Sequence, residues 1–129
     1  MPLVSEHMAT DVLTVETTTP LADAVRQMDE RGVGAVLVLA GERLQGVFTE
    51  RDVLRAVARG HADTPTVGDW MTPHPETIEP DETTEHAAVL MIHGGFRHLP
   101  VVDAGKVVGI LSIRDLVRAV LEDAAPRGV

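Results

Sequence analysis

Gly46-Val47-Phe48-Thr49-Glu50-Arg51-Asp52 returns 63 residues later as Gly109-Ile110-Leu111-Ser112-Ile113-Arg114-Asp115 (46 to 109, 52 to 115). The register extends outward without a gap, from Val4/Val67 to Val57/Val120. Identical pairs along it are Met8/Met71, Thr14/Thr77, Glu16/Glu79, Ala24/Ala87, Met28/Met91, Gly32/Gly95, Val38/Val101, Arg55/Arg118 and Ala56/Ala119. Others exchange like for like, among them Val15/Ile78, Arg43/Lys106, Leu44/Val107 and Val53/Leu116. The shared positions include Thr/Ser, Arg and Asp as well as apolar residues. That pattern implies two copies of one site, not merely two copies of one core.

Each copy reads as the same succession of elements. Leu21, Ala24, Val25 and Met28 fall on one face of a helix. Thr19 is placed to cap it, Pro20 to open it and Gly32 to close it. Val33 to Leu39 is apolar and rich in β-branched residues, which predicts a strand buried on both faces. Ala40-Gly41-Glu42 turns the chain into a second strand, Leu44 to Phe48, and a helix follows from Thr49 through Ala58, stopping near Gly60. The second copy predicts a helix from Thr84 to Ile92 ended by Gly94-Gly95, strands at Phe96 to Val102 and Val107 to Leu111, and a last helix from Ser112 to Glu122. A short extended piece precedes each, at Val12 to Val15 and Glu76 to Ile78. The expected fold is mixed α+β (α/β layered), β-α-β-β-α twice. Residues 1–62 form repeat 1, 63–123 form repeat 2, and 124–129 are a loose C-terminal tail. The linker falls at His61 to Pro65.

A chain of 129 residues can bury a real core, but halves of about 60 residues are marginal alone, so the two are expected to share one. The net charge of −9 argues against a nucleic-acid backbone as partner, because that binding is led by Lys and Arg. It leaves room for a small phosphate ligand held by local cations. With no cysteine there is no disulfide, thiol chemistry or Cys-based zinc site. No secretory signal is visible, and the longest apolar run, Val33 to Ala40, is too short to span a bilayer, so a cytoplasmic location is expected. His74, His86, His93 and His98 lack a metal-ligand spacing, so no metal is assigned. Trp70 is expected as a core or interface anchor. No catalytic residues are assigned, since no P-loop, nucleophile elbow or paired catalytic carboxylates occur.

In Gly46-x-x-Thr49-x-x-Asp52 a strand ends, a hydroxyl stands where a helix begins, and a carboxylate follows in the first turn. Ser/Thr-x-x-Asp/Glu is also a capping box, which satisfies helix N–H groups without any ligand. Both readings are open at this point. Three features favour a ligand. Both copies use Asp where boxes favour Glu or Gln, both carry Gly three residues before the hydroxyl, and both place Arg just before the Asp. Such a glycine lets something approach the backbone closely. A carboxylate at a helix start can accept both hydroxyls of a vicinal diol such as a ribose. The helix N-terminus and the Arg favour an anion beside it.

These motifs, together with Arg97-His98-Leu99-Pro100-Val101-Val102-Asp103 and Met71-Thr72-Pro73, resemble cystathionine β-synthase (CBS) domains, two in tandem forming a Bateman module. The resemblance spans about Val4 to Leu121. It implies two repeats related by a pseudo-twofold axis, packed through their sheets, with ligand clefts between them. It also implies a regulatory module, not an enzyme. No cofactor is required, and the regulatory ligand is an adenosine nucleotide such as AMP, ADP or ATP, consistent with energy sensing. By position, cleft one combines Thr49, Arg51 and Asp52 with Pro75, Thr77, Ile78, Arg97 and His98. Cleft two combines Ser112, Arg114 and Asp115 with Val12, Thr14, Val15, Gly34 and Ala35.

The copies differ where phosphates are implied to lie. Arg97 and His98 of repeat 2 correspond to Gly34 and Ala35 of repeat 1. A forked guanidinium suits phosphate oxygens, so cleft one is expected to be the main site for a phosphorylated ligand, and cleft two to take a less charged adenosine compound. An imidazole loses its charge near neutrality, so affinity through His98 is expected to fall as pH rises past about 7. The expected partners are the nucleotide, a second copy in a C2 homodimer and an effector protein, with no nucleic acid and no membrane. The dimer is expected through Ala24, Val25 and Met28 and through Ala87, Ala88 and Met91. The alternatives are a dimerisation module with empty clefts, or a binder of S-adenosylmethionine or a dinucleotide.

Overall fold

One-turn apolar spacing and β-branched runs become helices and strands where the sequence places them. The computed structural model describes residues 2–60 and 65–124. In chain order its elements are α1 (Val4–His7), β1 (Thr14–Glu16), α2 (Leu21–Arg31), β2 (Ala35–Ala40), β3 (Arg43–Thr49), α3 (Glu50–Ala58), α4 (Val67–Trp70), β4 (Thr72–Pro73), α5 (Thr84–Gly94), β5 (His98–Asp103), β6 (Lys106–Ser112) and α6 (Ile113–Ala124). Gly32 and Gly95 close α2 and α5 in the left-handed conformation, at φ 65° and 70°, which a side chain would resist. The fold is mixed α+β. The short helices α1 and α4 and the strand β4 are additions to the expected order. Of the expected linker, only Pro65 lies among the described residues, and of the expected tail only Ala124, which ends α6.

The chain divides into two compact units. One is Val12–Pro75; the other takes the chain up to Asp11 and from Glu76 onward. The division does not follow the two sequence copies, because each unit borrows the opening segment of the other copy. In the unit Val12–Pro75 the sheet order is β1-β2-β3-β4. β1 runs parallel to β2, β2 antiparallel to β3, and the borrowed β4 lies against β3 with Val47 opposite Thr72. The other unit reproduces this with β5 and β6. Ile78 bridges Val101 in parallel, and the borrowed Ala9 bridges Ile110. The bridges Leu3–Thr83 and Pro20–Thr66 are likewise the same contact in the two units. Even the strand irregularity repeats, at Val38/Leu39 and at Val101/Val102.

Among the described residues each unit has an apolar cluster of its own. The first gathers Val15, Ala24, Met28, Val36, Val38, Phe48 and Ala56 with the borrowed Val67 and Trp70. The second gathers Ile78, Ala87, Met91, Leu99, Val101, Leu111 and Leu116 with the borrowed Val4. Val4 and Val67 are both fully buried. A sixty-residue copy that could not close a core alone is completed by a segment from outside itself. Trp70 is thus a core residue, with the Arg59 guanidinium 5.6 Å from its ring centre.

Two further expectations change. Thr19 does not cap α2: Pro20 stands at the cap position, and the Thr19 hydroxyl accepts from the Glu16 N–H at 3.0 Å. A proline fixes φ and suits a helix start, which leaves the threonine to close the turn before it. In the other unit Thr83 does cap α5, accepting from the His86 N–H at 3.1 Å. The alanine-rich faces assigned to a dimer are inside the units: Ala24, Met28, Ala87 and Met91 are buried. Among the described residues the exposed large apolar ones are Leu54 and Val57 on α3, Val89 and Ile92 on α5, and Ile113, Val117, Val120 and Leu121 on α6.

Candidate functional site

The two Gly-x-x-Thr/Ser-x-x-Asp stretches form matching corners where a strand turns into a helix. In the first, β3 ends at Thr49, whose extended backbone stops the strand and opens α3. Asp52 Oδ2 accepts the Thr49 N–H at 2.8 Å, and the Thr49 hydroxyl donates to the same oxygen at 3.3 Å. Asp52 Oδ1 accepts from Arg55 Nη2 at 2.6 Å. In the second corner, Asp115 Oδ2 accepts the Ser112 N–H at 2.8 Å, and the Ser112 hydroxyl accepts the Asp115 N–H at 3.1 Å. Capping is thus realised at both corners.

The corners differ in how far the carboxylate is committed. The Asp52 side chain is 4% exposed and its Arg55 is in direct contact; the Asp115 side chain is 13% exposed and Arg118 stands off at 3.5 Å. A carboxylate offers about four acceptor positions, so each corner keeps capacity beyond the cap. Arg51 and Arg114 are exposed. Arg55 and Arg118 escaped the site reading, although their signal was present: an identical pair, three residues after the Asp, on the same helix face.

The motif glycine has a structural reason. A β-carbon on Gly46 would stand 2.6 Å from Met71 Sδ and 2.7 Å from the Thr72 carbonyl oxygen. On Gly109 the same distances are 2.6 Å to Met8 Sδ and 2.8 Å to the Ala9 carbonyl oxygen. What approaches the backbone closely is the borrowed segment, so the glycine is no argument for a ligand.

The position that distinguishes the copies lies beside each corner. Ala35 pairs with Thr49 in the β2–β3 register, and the Glu50 N–H donates to the Gly34 carbonyl at 3.1 Å. A β-carbon on Gly34 would stand 2.9 Å from Glu50 Oε1, so a carboxylate covers this glycine. In the other unit His98 pairs with Ser112, and the Ile113 N–H donates to the Arg97 carbonyl at 2.9 Å. Where one unit sets Glu50 over Gly34, the other offers Arg97, His98 and an uncharged Ile113. Arg97 is exposed and His98 half-buried at the start of β5.

The remaining candidates sit on the extended segments. Thr14 is exposed and Val15 buried on β1, opposite Leu37 and Val38 of β2, with Val12 half-buried just before. Thr77 is exposed and Ile78 buried at the corresponding place beside Val101. Pro75 is half-buried after β4. The unit Val12–Pro75 brings together Thr49, Arg51, Asp52 and Pro75 with Val12, Thr14, Val15, Gly34 and Ala35. The other brings Thr77, Ile78, Arg97 and His98 together with Ser112, Arg114 and Asp115. Each set named from the sequence draws on both units. Among the described residues no group of three His, Asp or Glu could hold a metal ion.

The CBS domain model matches the chain twice, over residues 4–59 and 67–122, and the chain belongs to the CBS domain family as a tandem pair. It is 36% identical over 121 residues to an uncharacterized 17.7 kDa protein of Acidianus ambivalens, covering 92% of this chain and 73% of that one. It is 33% identical over 117 residues to the CBS domain-containing protein YhcV of Bacillus subtilis, covering 90% and 84%. Among solved structures, the CBS-pair protein CBSX2 of Arabidopsis thaliana, in complex with AMP, superposes with a TM-score of 0.86 at 31% identity, over 97% of this chain and 100% of that one. A putative signal-transduction protein with CBS domains from Burkholderia ambifaria superposes with a TM-score of 0.84 at 34% identity, over 94% and 90%.

Proposed function

We propose that this CBS pair is a regulatory module that binds an adenosine nucleotide of the AMP, ADP or ATP kind and performs no chemistry on it. One observation carries the reading: the chain holds two Thr/Ser–Asp corners, each a carboxylate at a helix start, and is similar over nearly its whole length to a CBS pair solved with AMP. Asp52 with Thr49, and Asp115 with Ser112, accept the ribose hydroxyls. Arg97 and His98 neutralise the phosphate of the bound nucleotide. The matching positions Gly34 and Ala35 offer no cation, so a ligand held there is a less charged adenosine compound. The Glu50 carboxylate over Gly34 supports that division, because it opposes a phosphate there.

The module acts as a homodimer, presenting the apolar residues that its helices leave exposed. Leu54 and Val57 of α3, and Val117, Val120 and Leu121 of α6, are each more than half exposed. No helix among the described residues is long and apolar enough to cross a membrane, and the proposed location is the cytoplasm. The test is calorimetric titration with AMP, ADP, ATP, adenosine and S-adenosylmethionine. Saturable binding of the nucleotides is expected. Absence of binding to every compound sinks the proposal. Because the chain has one Trp and no Tyr, copurified nucleotide also shows as raised absorbance at 260 nm against 280 nm.

A further inference from the structure

We infer that Arg55 is a latch on the Asp52 anchor and that it sets the affinity difference between the two ribose corners. The inference rests on the adenosine reading above and deepens it. Asp52 is 3% exposed, and both its oxygens are already bonded. Oδ2 takes two donors from Thr49, and Oδ1 takes the Arg55 guanidinium at 2.6 Å. A diol needs two acceptor positions on an accessible carboxylate edge. Thr49 cannot leave without uncapping α3. Arg55 can, since its side chain is 45% exposed and departs into water.

The second corner shows the same parts unlatched. Asp115 Oδ1 has Arg118 at 3.5 Å only, and its side chain is 13% exposed. The Ser112 hydroxyl accepts from the Asp115 N–H, which leaves its own hydrogen free to donate to a ligand. At the first corner the Thr49 hydroxyl spends its hydrogen on Asp52. Matching residues at identical spacing therefore give one anchor that a ligand must open and one that stands open. Arg55 is a positioning residue here: it touches the anchor, and it acts on the ligand by competing for Oδ1. The Arg55 side chain is 45% exposed, so water takes over its hydrogen bonds when a ligand displaces it.

The probe is adenosine, which isolates the ribose contact from the phosphate, compared with 2′-deoxyadenosine, which lacks the diol. In an Asp115→Ala background, Arg55→Met is expected to tighten adenosine binding on the order of three- to tenfold. It is expected to leave 2′-deoxyadenosine within about twofold, and Asp52→Ala added to Arg55→Met should abolish the gain. In an Asp52→Ala background, Arg118→Met should change adenosine binding by less than about twofold. Tightening that is equal for both nucleosides, or that survives Asp52→Ala, overturns the latch, as does unchanged or weaker adenosine binding by Arg55→Met. If neither the unsubstituted protein nor any variant binds adenosine or AMP, the adenosine reading fails and takes the latch with it. AMP binding by the unsubstituted protein, with no gain from Arg55→Met, removes the latch alone. Thermal unfolding of each variant without ligand separates lost stability from altered affinity.

Discussion

Met8 lies across Gly109: a β-carbon on that glycine would stand 2.6 Å from the Met8 sulfur. Met71 lies across Gly46 in the same way, at the same distance. This reciprocal crossing ties the motif glycine to the borrowed segment. Gly109→Ala and Gly46→Ala are each expected to destabilise by about 1–3 kcal/mol, the usual cost of overpacking against backbone. Chemical denaturation reads the cost. A neutral effect at either position means that the segment yields easily and the crossing does not hold the unit together.

The borrowed helices make a second, symmetric prediction. Val4 and Val67 occupy equivalent places and are both fully buried. Val4→Ala and Val67→Ala should each cost on the order of 1–3 kcal/mol, through lost contacts and a residual cavity. A neutral Val4→Ala beside a costly Val67→Ala contradicts the exchange of segments in the second unit.

Removing the corner carboxylates affects stability unequally. Each Asp caps its helix, so Asp52→Ala and Asp115→Ala should cost roughly 0.5–2 kcal/mol in the absence of ligand. Asp52→Ala should lie at the upper end, because the half-buried Thr49 hydroxyl also loses its acceptor. Melting temperatures of the two variants make the comparison. A larger loss for Asp115→Ala reverses the order of the two corners.

The charge asymmetry predicts ligand selectivity. Arg97→Ala should weaken AMP binding by about 1–3 kcal/mol, the cost of a lost charged hydrogen bond, and leave adenosine nearly unaffected. Isothermal titration with the two ligands gives the split. If Arg97→Ala leaves AMP binding intact while Asp115→Ala abolishes it, Arg97 does not serve the phosphate and the assignment of residues to the two sets is wrong.

Assembly should depend on the exposed helix faces and not on the buried alanines. Val117→Glu together with Val120→Glu is expected to convert a dimer into a monomer, measured by light scattering at micromolar concentration. A monomeric mass for the unsubstituted protein contradicts the homodimer directly. Enlarging Ala24 or Ala87 should instead destabilise the fold, since both are fully buried.

Much of this was legible in the sequence because local chemistry decides it. Leu21, Ala24, Val25 and Met28 announced α2, Gly32 its end, and Val33 to Leu39 a strand buried on both faces, found as Ala35–Ala40 with its first four residues buried. The Thr49 and Ser112 caps followed from the Ser/Thr-x-x-Asp spacing. What escaped was non-local. Nothing in Val4–His7 or Val67–Trp70 states which copy they pack on; the reason appears only where Met8 and Met71 cross glycines of distant strands. Helix periodicity likewise marked Ala24 and Ala87 as apolar without saying whether a core or a second copy covers them. The Arg55 contact was hidden by the same ambiguity, since an Arg three residues after an Asp on a helix is usually a solvated pair.

The most direct test of the central claim is calorimetric titration of AMP into the unsubstituted protein and into Asp52→Ala. The account predicts saturable binding by the unsubstituted protein, weakened in the variant by about 1–3 kcal/mol as a charged partner of the ribose is lost. AMP affinity that is unchanged in Asp52→Ala, while its melting temperature falls, would contradict the account. It would leave that carboxylate as a helix cap and nothing more.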